Sequence, residues 1–314
     1  MTVPPVEYHD GQREVQCEAN STKAADKLST WVGPVIQYAN EADLVVLASE
    51  RADGHLNVAA LSGPAPLVAA SEFEHGIMMH TPLELAERLP TDNAWGGIVI
   101  NPAAARRSRV AGIPALRDRV ISIPFTTAFT NCRKYITPTA STGNDTHIGP
   151  IASEPRELDD QWIVDTIAHG ETAFLVTSTP EHIADVSHRG GPPGFLRYTP
   201  ATREIAWTEF LGDGMFVSTG NIRSRARFSL IVLDFASGDA ARLDGDAQYT
   251  NVRADRHERV AALLQADEPF PVQGRIVATV KSAARLKGFC LPRVRVERRS
   301  RITSADSTAV QHPQ

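Results

Sequence analysis

The chain has 314 residues, which is enough for two domains of ordinary size. Hydrophobic residues make up 42% and charged residues 22%, and the net charge is −5, so we expect a globular protein without a nucleic-acid or membrane partner. Cys17, Cys132 and Cys290 are too few and too far apart to predict a disulfide framework or a metal site. The first thirty residues contain no apolar signal core, which favours a cytoplasmic location.

The first half of the chain reads as a helix followed by short strands. A polar N-terminal extension (1–23) precedes a helical pattern over 24–39. Short β-rich runs then predict strands at 44–49, 56–61, 97–101, 107–111 and 119–128. A segment rich in Pro, Thr, Ser, Gly and Asn predicts a linker over 141–157, so the first unit spans 24–140.

The second half, predicted to span 158–301, follows the same plan. A helix is predicted at 158–168, where Asp159 and Asp160 suit its start and Gly170 its end. Strands are predicted at 173–178, 183–188, 204–210, 228–235, 240–248 and 275–282, a helix at 254–266, and a disordered tail at 302–314. Short strands with few helices predict a mainly β fold with flanking helices (α+β), with a small barrel in each half.

The two halves also repeat each other in sequence. Residues 44–70 align without a gap with 172–198, at an offset of 128. Residues 97–112 align in the same way with 230–245, at an offset of 133. Two matches in the same order predict a duplicated domain.

The stretch "ADVSHRGGPPGFLRY" (184–198) carries Ser187, His188 and Arg189 next to Gly190 and Gly191. Glycine lets a backbone run close to a ligand, and free N–H groups in such a turn can bind an anion. An arginine binds a phosphate through two nitrogens of its guanidinium. The residues therefore favour a phosphorylated or carboxylated ligand, although a tight surface turn with a solvated arginine explains them equally well.

Two further stretches carry polar groups that suit the same site. "GDGMFVSTGNIRSRARFSL" (212–230) places hydroxyl, amide and guanidinium groups just before a predicted strand, and "FTNCRKYITP" (129–138) ends the first half. We interpret Cys132 as a small half-buried residue rather than a nucleophile, because no His or Asp is near it in sequence. The candidate residues in these stretches are Ser218, Thr219, Asn221, Arg223, Asn131, Lys134 and Tyr135.

Four motifs together resemble a known family. The motifs are "NCRKYI" (131–136), "DVSHRGGPPGF" (185–195), "IAWTEFLGDGMFVSTGNI" (205–222) and "LIVLDFASGDAARLDGDA" (230–247). In this order they resemble the long, two-part members of the pyridoxamine 5′-phosphate oxidase-related FMN-binding proteins. The resemblance implies tandem split β-barrels that form a pseudo-dimer within one chain, with FMN between them. It also implies an oxidoreductase that acts on a small molecule, with a reduced nicotinamide or another electron donor.

The resemblance also implies roles for individual residues. Ser187, His188, Arg189 and Gly190 would face the cofactor, with His188 moving a proton. Ser218, Thr219, Asn221 and Arg223 would lie near its phosphate or ribityl chain, and Asn131, Lys134 and Tyr135 would close the site from the other barrel. Lys134 or Arg189 would stabilise the reduced flavin. The first-half counterparts of 187–189 are Ala59, Ala60 and Leu61, which have no polar side chain, so one cofactor per chain is expected.

The sequence leaves several alternatives open. Asp213, Gly214 and Val217 stand where the family commonly has asparagines, and Arg133 replaces its proline. Haem or a deazaflavin could take the place of FMN, or the protein could hold a flavin as a non-catalytic sensor. A homodimer is a further option. The candidate haem ligands are His55, His75, His80, His147, His169, His182, His188 and His257, none of which has a diagnostic spacing.

Overall fold

The computed structural model describes residues 6–29, 34–71, 76–79, 83–89, 93–117, 120–251 and 270–297. The helix predicted at 254–266, the tail predicted at 302–314, and His75, His80 and His257 lie outside these described residues. Within the described ranges, no helix has both the length and the apolar character needed to cross a membrane.

The first half forms two antiparallel sheets. Its helices are α1 (Asp10–Glu18), α2 (Thr22–Ser29), α3 (Val35–Asn40) and α4 (Leu83–Arg88). Its strands are β1 (Leu44–Glu50), β2 (Leu56–Ser62), β3 (Ala69–Ser71), β4 (Gly76–Met79), β5 (Trp95–Asn101), β6 (Arg106–Gly112), β7 (Ala115–Arg117), β8 (Val120–Pro124) and β9 (Thr127–Thr130). The larger sheet has the order β2-β1-β5-β6-β9, and the smaller has the order β3-β4-β8-β7.

The second half forms one large antiparallel sheet. Three short strands lead into it, β10 (Thr139–Ser141), β11 (His147–Gly149) and β12 (Ala152–Arg156). They are followed by α5 (Gln161–His169), β13 (Thr172–Ser178), β14 (Ala184–Gly190), β15 (Leu196–Thr199), a 3₁₀ turn (Pro200–Thr202), β16 (Glu204–Phe210), α6 (Val217–Arg225), β17 (Arg227–Leu233), β18 (Ala240–Asn251), β19 (Val272–Lys287) and β20 (Arg293–Arg295). The sheet order is β14-β13-β17-β18-β19-β16-β15, with β12 also paired to β19.

The strand pairing confirms the duplication. The pair Leu44↔Ser62 in β1–β2 becomes Thr172↔Gly190 in β13–β14, with each residue 128 positions further along. The pair Trp95↔Gly112 in β5–β6 becomes Phe228↔Gly245 in β17–β18, 133 positions further along. Both sequence offsets are therefore kept in the register of the sheets, which a chance similarity between apolar strands would not produce.

A local two-fold relationship joins the halves. Strand β10 follows β9 in the first half as β20 follows β19 in the second, and the two strands pair antiparallel around Ala140↔Val294. The adjacent pairs, Thr139↔Arg295 and Ser141↔Arg293, are related by the same exchange. Each half thus gives an equivalent strand to a shared two-stranded sheet, as expected for a pseudo-dimer within one chain.

Alternating side chains of the central strands hold the two halves together. In β1, Val45 and Leu47 pack in the core between the two sheets of the first half, here called the first barrel. Leu44, Val46 and Ala48 pack in the seam between the halves. In β13, Ala173 and Leu175 face the core of the second half, here called the second barrel, while Phe174 and Val176 face the seam. Both strands are buried along their whole length because each covers a core on both faces, which explains their continuous apolar sequences.

The N-terminal extension packs on the second half rather than on the first. Helix α1 crosses α6 at two glycines, Gly11 and Gly220. A Cβ on Gly220 would lie 2.4 Å from the Cα of Gln12, so a side chain there would force the helices apart. Helix α1 therefore forms part of the surroundings of the second barrel.

Three sequence predictions differ from the structure. The region predicted as one helix at 24–39 contains α2 and α3, and α3 begins directly after Pro34. The strand predicted at 119–128 is two strands in different sheets, because the chain turns between Pro124 and Thr127. The predicted linker at 141–157 includes β11, which pairs with β2, and β12, which pairs with β19, so it binds to both halves.

Candidate functional site

A cleft lies where the second half meets the end of the first barrel. Its second-half walls are β14, β16 and the start of α6, and its first-half wall is β6 with residues 131–135. Three guanidiniums line it, from Arg107, Arg109 and Arg189, against two carboxylates, from Glu209 and Asp213. Arg189 is paired with Glu209, and Arg109 with Asp185, so Arg107 is the guanidinium of the cleft that makes no ion pair with a described residue.

Arg189 connects the three second-half elements of the cleft. Its Nε donates to Glu209 Oε1 at 2.6 Å, and its Nη2 donates to Ser218 Oγ at 2.7 Å. The indole N–H of Trp207 donates to the same Glu209 oxygen at 2.8 Å. Arg189 is thus fixed in place by charge-assisted hydrogen bonds, which are stronger than neutral ones.

The start of α6 adds unpaired backbone donors to this wall. Phe216, the N-cap residue, has φ 54° and makes no side-chain hydrogen bond to cap the helix. Val217, Ser218 and Thr219, the first three helical residues, all line the cleft. The first N–H groups of a helix have no intrahelical partner and favour anions. The polar segment predicted to lie just before a strand thus forms α6, which directly precedes β17.

Arg107, from β6 of the first half, is a buried cation without an acidic partner. Its side chain is 7% exposed, and no carboxylate oxygen of the described residues lies within 4.0 Å of its nitrogens. It donates instead to His188 Nδ1 at 2.6 Å, to Cys132 Sγ at 3.4 Å and to the Lys134 carbonyl at 3.3 Å. Burial lowers the pKa of Arg107, yet a guanidinium stays charged in proteins. An unpaired buried charge is unfavourable, so this position favours binding of an anion.

The contact with Arg107 sets the protonation of His188. A guanidinium can only donate, so Nδ1 of His188 accepts and the ring proton is on Nε2. Burial, followed by the charges of Arg107 and Arg189, holds the pKa of His188 well below its usual 6.5. The imidazole is therefore neutral near pH 7, and it lacks the near-neutral pKa on which its predicted role as a proton shuttle was based.

The first-half wall is joined to the second half by direct hydrogen bonds. The amide of Asn131 donates to Asp213 Oδ2 at 2.9 Å, and the hydroxyl of Tyr135 donates to the Leu211 carbonyl at 3.0 Å. Lys134 is exposed, with Nζ 3.5 Å from the same carbonyl, and it does not line the cleft as predicted. Asp213 also accepts from the Met215 N–H at 3.1 Å, which fixes its carboxylate in the cleft wall.

Gly190 permits a close approach between the two walls. A Cβ at this position would lie 2.0 Å from the carbonyl oxygen of Tyr135 and 2.8 Å from the His188 ring. The glycine predicted to let the backbone approach a ligand thus lets it approach the opposite wall of the cleft.

Ser187 takes part in a neighbouring network. Its hydroxyl donates to Asp185 Oδ2 at 3.1 Å, and Arg109 reaches both oxygens of the same carboxylate at 3.2 Å. Ser187 is fully buried, and it stands behind Arg109 rather than at the surface of the cleft.

Asn221 and Arg223 point away from the cleft. Asn221 donates to Thr177 Oγ1 at 3.0 Å and accepts from His9 and Gln12 of the N-terminal segment. Arg223 binds Glu14 and Glu18 of α1. Because these side chains face α1, the structure does not bring them together with Arg189 and Ser218.

Several buried polar atoms at the cleft have no hydrogen-bond partner. They are Nε of Arg107, Nε of Arg109, Oδ1 of Asn131 and Nε2 of His188. Buried polar atoms are normally paired, so unpaired ones around a cleft point to a missing ligand or water. No group of three or more His, Cys, Asp or Glu among the described residues could hold a metal ion.

Comparison with known proteins finds likeness in structure only. No family profile matches the chain, and no curated protein matches it. HupZ of Group A Streptococcus aligns with 17% identity and a TM-score of 0.31, covering 40% of this chain and 93% of HupZ. A candidate pyridoxamine 5′-phosphate oxidase of Lactobacillus delbrueckii aligns with 17% identity and a TM-score of 0.30, covering 39% of this chain and 90% of that protein. A protein of Clostridium acetobutylicum related to general stress protein 26 aligns with 9% identity and a TM-score of 0.29. The alignment covers 44% of this chain and 93% of that protein.

The names of these structures include the family that the four sequence motifs resemble. The mainly β fold and the duplication predicted from the sequence are confirmed by the strands themselves and by their register. The scores are too low to support any statement about activity, and the duplication rests on the register of the strands.

The second junction between the split barrels contains no such polar site. The positions equivalent to His188 and Arg107, by the offsets of 128 and 133, are Ala60 and Ala240. Both are fully buried and pack in the seam with Phe289. The second junction therefore lacks the histidine and the unpaired arginine, and its remaining arginine, Arg242, the counterpart of Arg109, is paired with Asp244.

Arg107, Arg109 and Glu209 were not predicted as site residues. Arg107 and Arg109 alternate in β6, a strand with apolar neighbours, and two arginines on one face of such a strand are unusual. That pattern was the available signal for Arg107. Glu209 follows Trp207 at the end of β16, and only the folded sheet shows that it accepts from Arg189.

Proposed function

We propose that this protein is an FMN-dependent oxidoreductase that acts on a small molecule and binds one flavin in the cleft between its split barrels. The observation that carries the proposal is Arg107, a buried guanidinium without a carboxylate partner, in the same cleft as the Arg189–Ser218 pair. FMN carries a phosphate, and such a group would supply the missing negative charge.

The residues present fit the anionic end of FMN. The cleft has a cavity volume of about 90 Å³, so it would take the phosphate end of FMN and leave the rest of the molecule at its open mouth. Ser218, Thr219 and the uncapped start of α6 offer hydroxyl and N–H donors, and Arg189 and Arg107 offer charge. Asp213 and Glu209 oppose binding by charge, but both are engaged in hydrogen bonds within the wall.

Each residue then has a physical role. Glu209 and Trp207 orient Arg189 toward the start of α6. Arg107 holds His188 with its proton on Nε2, so the imidazole can donate but does not titrate near pH 7. The apolar seam behind His188 excludes water from this end of the cleft. A bound flavin would supply the redox chemistry, for which the protein provides position and electrostatics. A reduced nicotinamide is the proposed electron donor.

The absorption spectrum of the purified protein, before and after addition of FMN, tests the proposal. We expect a flavin spectrum and bleaching by a nicotinamide donor. Arg107→Ala should weaken FMN binding at least tenfold, whereas Arg106→Ala, the adjacent arginine on the other face of β6, which pairs with Glu41, should leave it unchanged. A protein that takes up no FMN contradicts the proposal. A Soret band would indicate haem, and a flavin that no donor reduces would indicate a sensor.

A further inference from the structure

A second cavity, here called the side pocket, adjoins the cleft. It lies between the N-terminal segment around Tyr8, strands β6 and β9 of the first barrel, and residues 179–185 of the second. Arg109 and Val217 line both the side pocket and the cleft, so the two spaces share a wall. The side pocket holds about 570 Å³, within the range of small-molecule sites.

The inner surface of the side pocket is apolar. Val110, Phe129 and Ala184 are buried in its walls, and Ile183 and Val217 are half-buried beside them. The space between them would be filled most favourably by an apolar group of a ligand.

The charge of the side pocket is opposite to that of the cleft. Arg109 is the sole Lys or Arg among its described lining residues, and both oxygens of Asp185 lie 3.2 Å from its Nη1, which neutralises it. The remaining titratable acidic side chains are the exposed carboxylates of Glu7 and Glu181, and the imidazole of His9 is half-buried beside them. A ligand carboxylate or phosphate would meet like charge there, and an ammonium group would meet opposite charge.

We infer that the side pocket binds the organic substrate, and that this substrate is a compact, mainly apolar amine in its protonated form rather than a carboxylate or a phosphate ester. The assignment as substrate rests on the proposed flavin in the adjacent cleft. The preference for a cation rests only on the residues of the side pocket.

Ligand-observed NMR on the flavin-free protein tests the inference with a matched pair of probes, 2-phenylethylamine and 3-phenylpropionate. We expect saturation transfer to the amine and none to the carboxylate. Glu181→Gln should weaken binding of the amine about two- to fivefold, as expected for one partly screened charge. Glu204→Gln, an exposed carboxylate on β16 outside the side pocket, should not change it.

Thr127→Trp tests the location, because this β9 side chain lines the side pocket and not the cleft. It should abolish amine binding while FMN titration of the same variant stays normal, which also shows that the variant is folded. Equal binding of the carboxylate, or an unchanged amine affinity in both Glu181→Gln and Thr127→Trp, overturns the inference. If Thr127→Trp does not fold, the Glu181→Gln and Glu204→Gln pair decides. If the protein binds the amine but not FMN, the side pocket is still an amine site, and the proposed flavin function is refuted.

Discussion

Arg189 donates a hydrogen bond to Ser218 Oγ at 2.7 Å, joining strand β14 to the first turn of α6. The two residues come from separate motifs, "DVSHRGGPPGF" and "IAWTEFLGDGMFVSTGNI". Their contact joins the two segments into one wall of a cleft. The sequence alone could suggest, but not show, that these segments lie together. The other wall comes from the first barrel, through Arg107 and Asn131.

Ser218→Ala should weaken FMN binding about tenfold. The substitution removes the acceptor of Arg189 and a hydroxyl that lines the cleft, and hydrogen bonds to charged groups contribute about 1.5–3 kcal/mol. Fluorescence titration with FMN measures the effect. Ser224→Ala, an exposed serine on the same helix, is the matched control and should bind FMN normally. Equal affinities in the two variants would remove Ser218 from the site.

Arg107→Met should abolish the thermal stabilisation that FMN gives to the wild-type protein. A ligand at one hundred times its Kd stabilises the folded state by about 2.7 kcal/mol, which corresponds to a shift of several degrees in Tm. Without the buried guanidinium, the cleft loses the charge that most needs an anion. Differential scanning fluorimetry with and without FMN checks this. A full shift in the variant would show that Arg107 does not contact the ligand.

Gly96→Ala should separate the two barrels. A Cβ on Gly96 would lie 1.7 Å from the carbonyl oxygen of Ala184, at the contact between β5 and β14. Relief of this clash requires backbone movement, which should reduce the free energy of unfolding by about 3 kcal/mol. Urea denaturation measures the loss. Gly212→Ala, where the nearest atom to the new Cβ is 3.9 Å away, should change it by less than about 0.5 kcal/mol.

His188 should make the protein sensitive to acid. Its pKa in the folded state lies well below 6.5, whereas in the unfolded chain it returns to about 6.5, so below that pH the unfolded state binds the extra proton. The free energy of unfolding therefore falls as pH decreases below about 6.5, by up to about 1.4 kcal/mol per pH unit.

Denaturation curves between pH 5 and pH 7 measure this slope. His188→Asn should flatten it, while His169→Asn, an exposed histidine at the end of α5, should not. An identical slope in wild type and His188→Asn would mean that His188 takes up its proton in the folded protein.

The sequence predicted the repeated unit well and the site only in part. The offset of 128 residues can be found by comparing short apolar stretches of the sequence. The register of β1–β2 and of β13–β14 keeps the same offset. Arg189 and Ser218 carry recognisable motifs, so both were predicted to lie in the cleft, which they line. Their roles there remain a prediction.

The residues that escaped prediction depend on contacts across the chain. Arg107 becomes significant only when β6 of the first barrel meets β14 of the second. Asn221 and Arg223 belong to a polar motif, yet α1 covers their side of α6. The packing of an N-terminal helix on a helix far along the chain leaves no pattern in a single sequence. The position of α1 therefore had to come from the structure.

We propose that one chain holds one flavin, at the junction that contains Arg107 and His188 and not at the junction that contains Ala60 and Ala240. Isothermal titration of the flavin-free protein with FMN, with protein concentration fixed by amino-acid analysis, measures the stoichiometry most directly. We expect one FMN per chain in the wild type and at least tenfold weaker binding in Arg107→Ala. Two equivalent sites per chain, or no heat of binding at all, would contradict it.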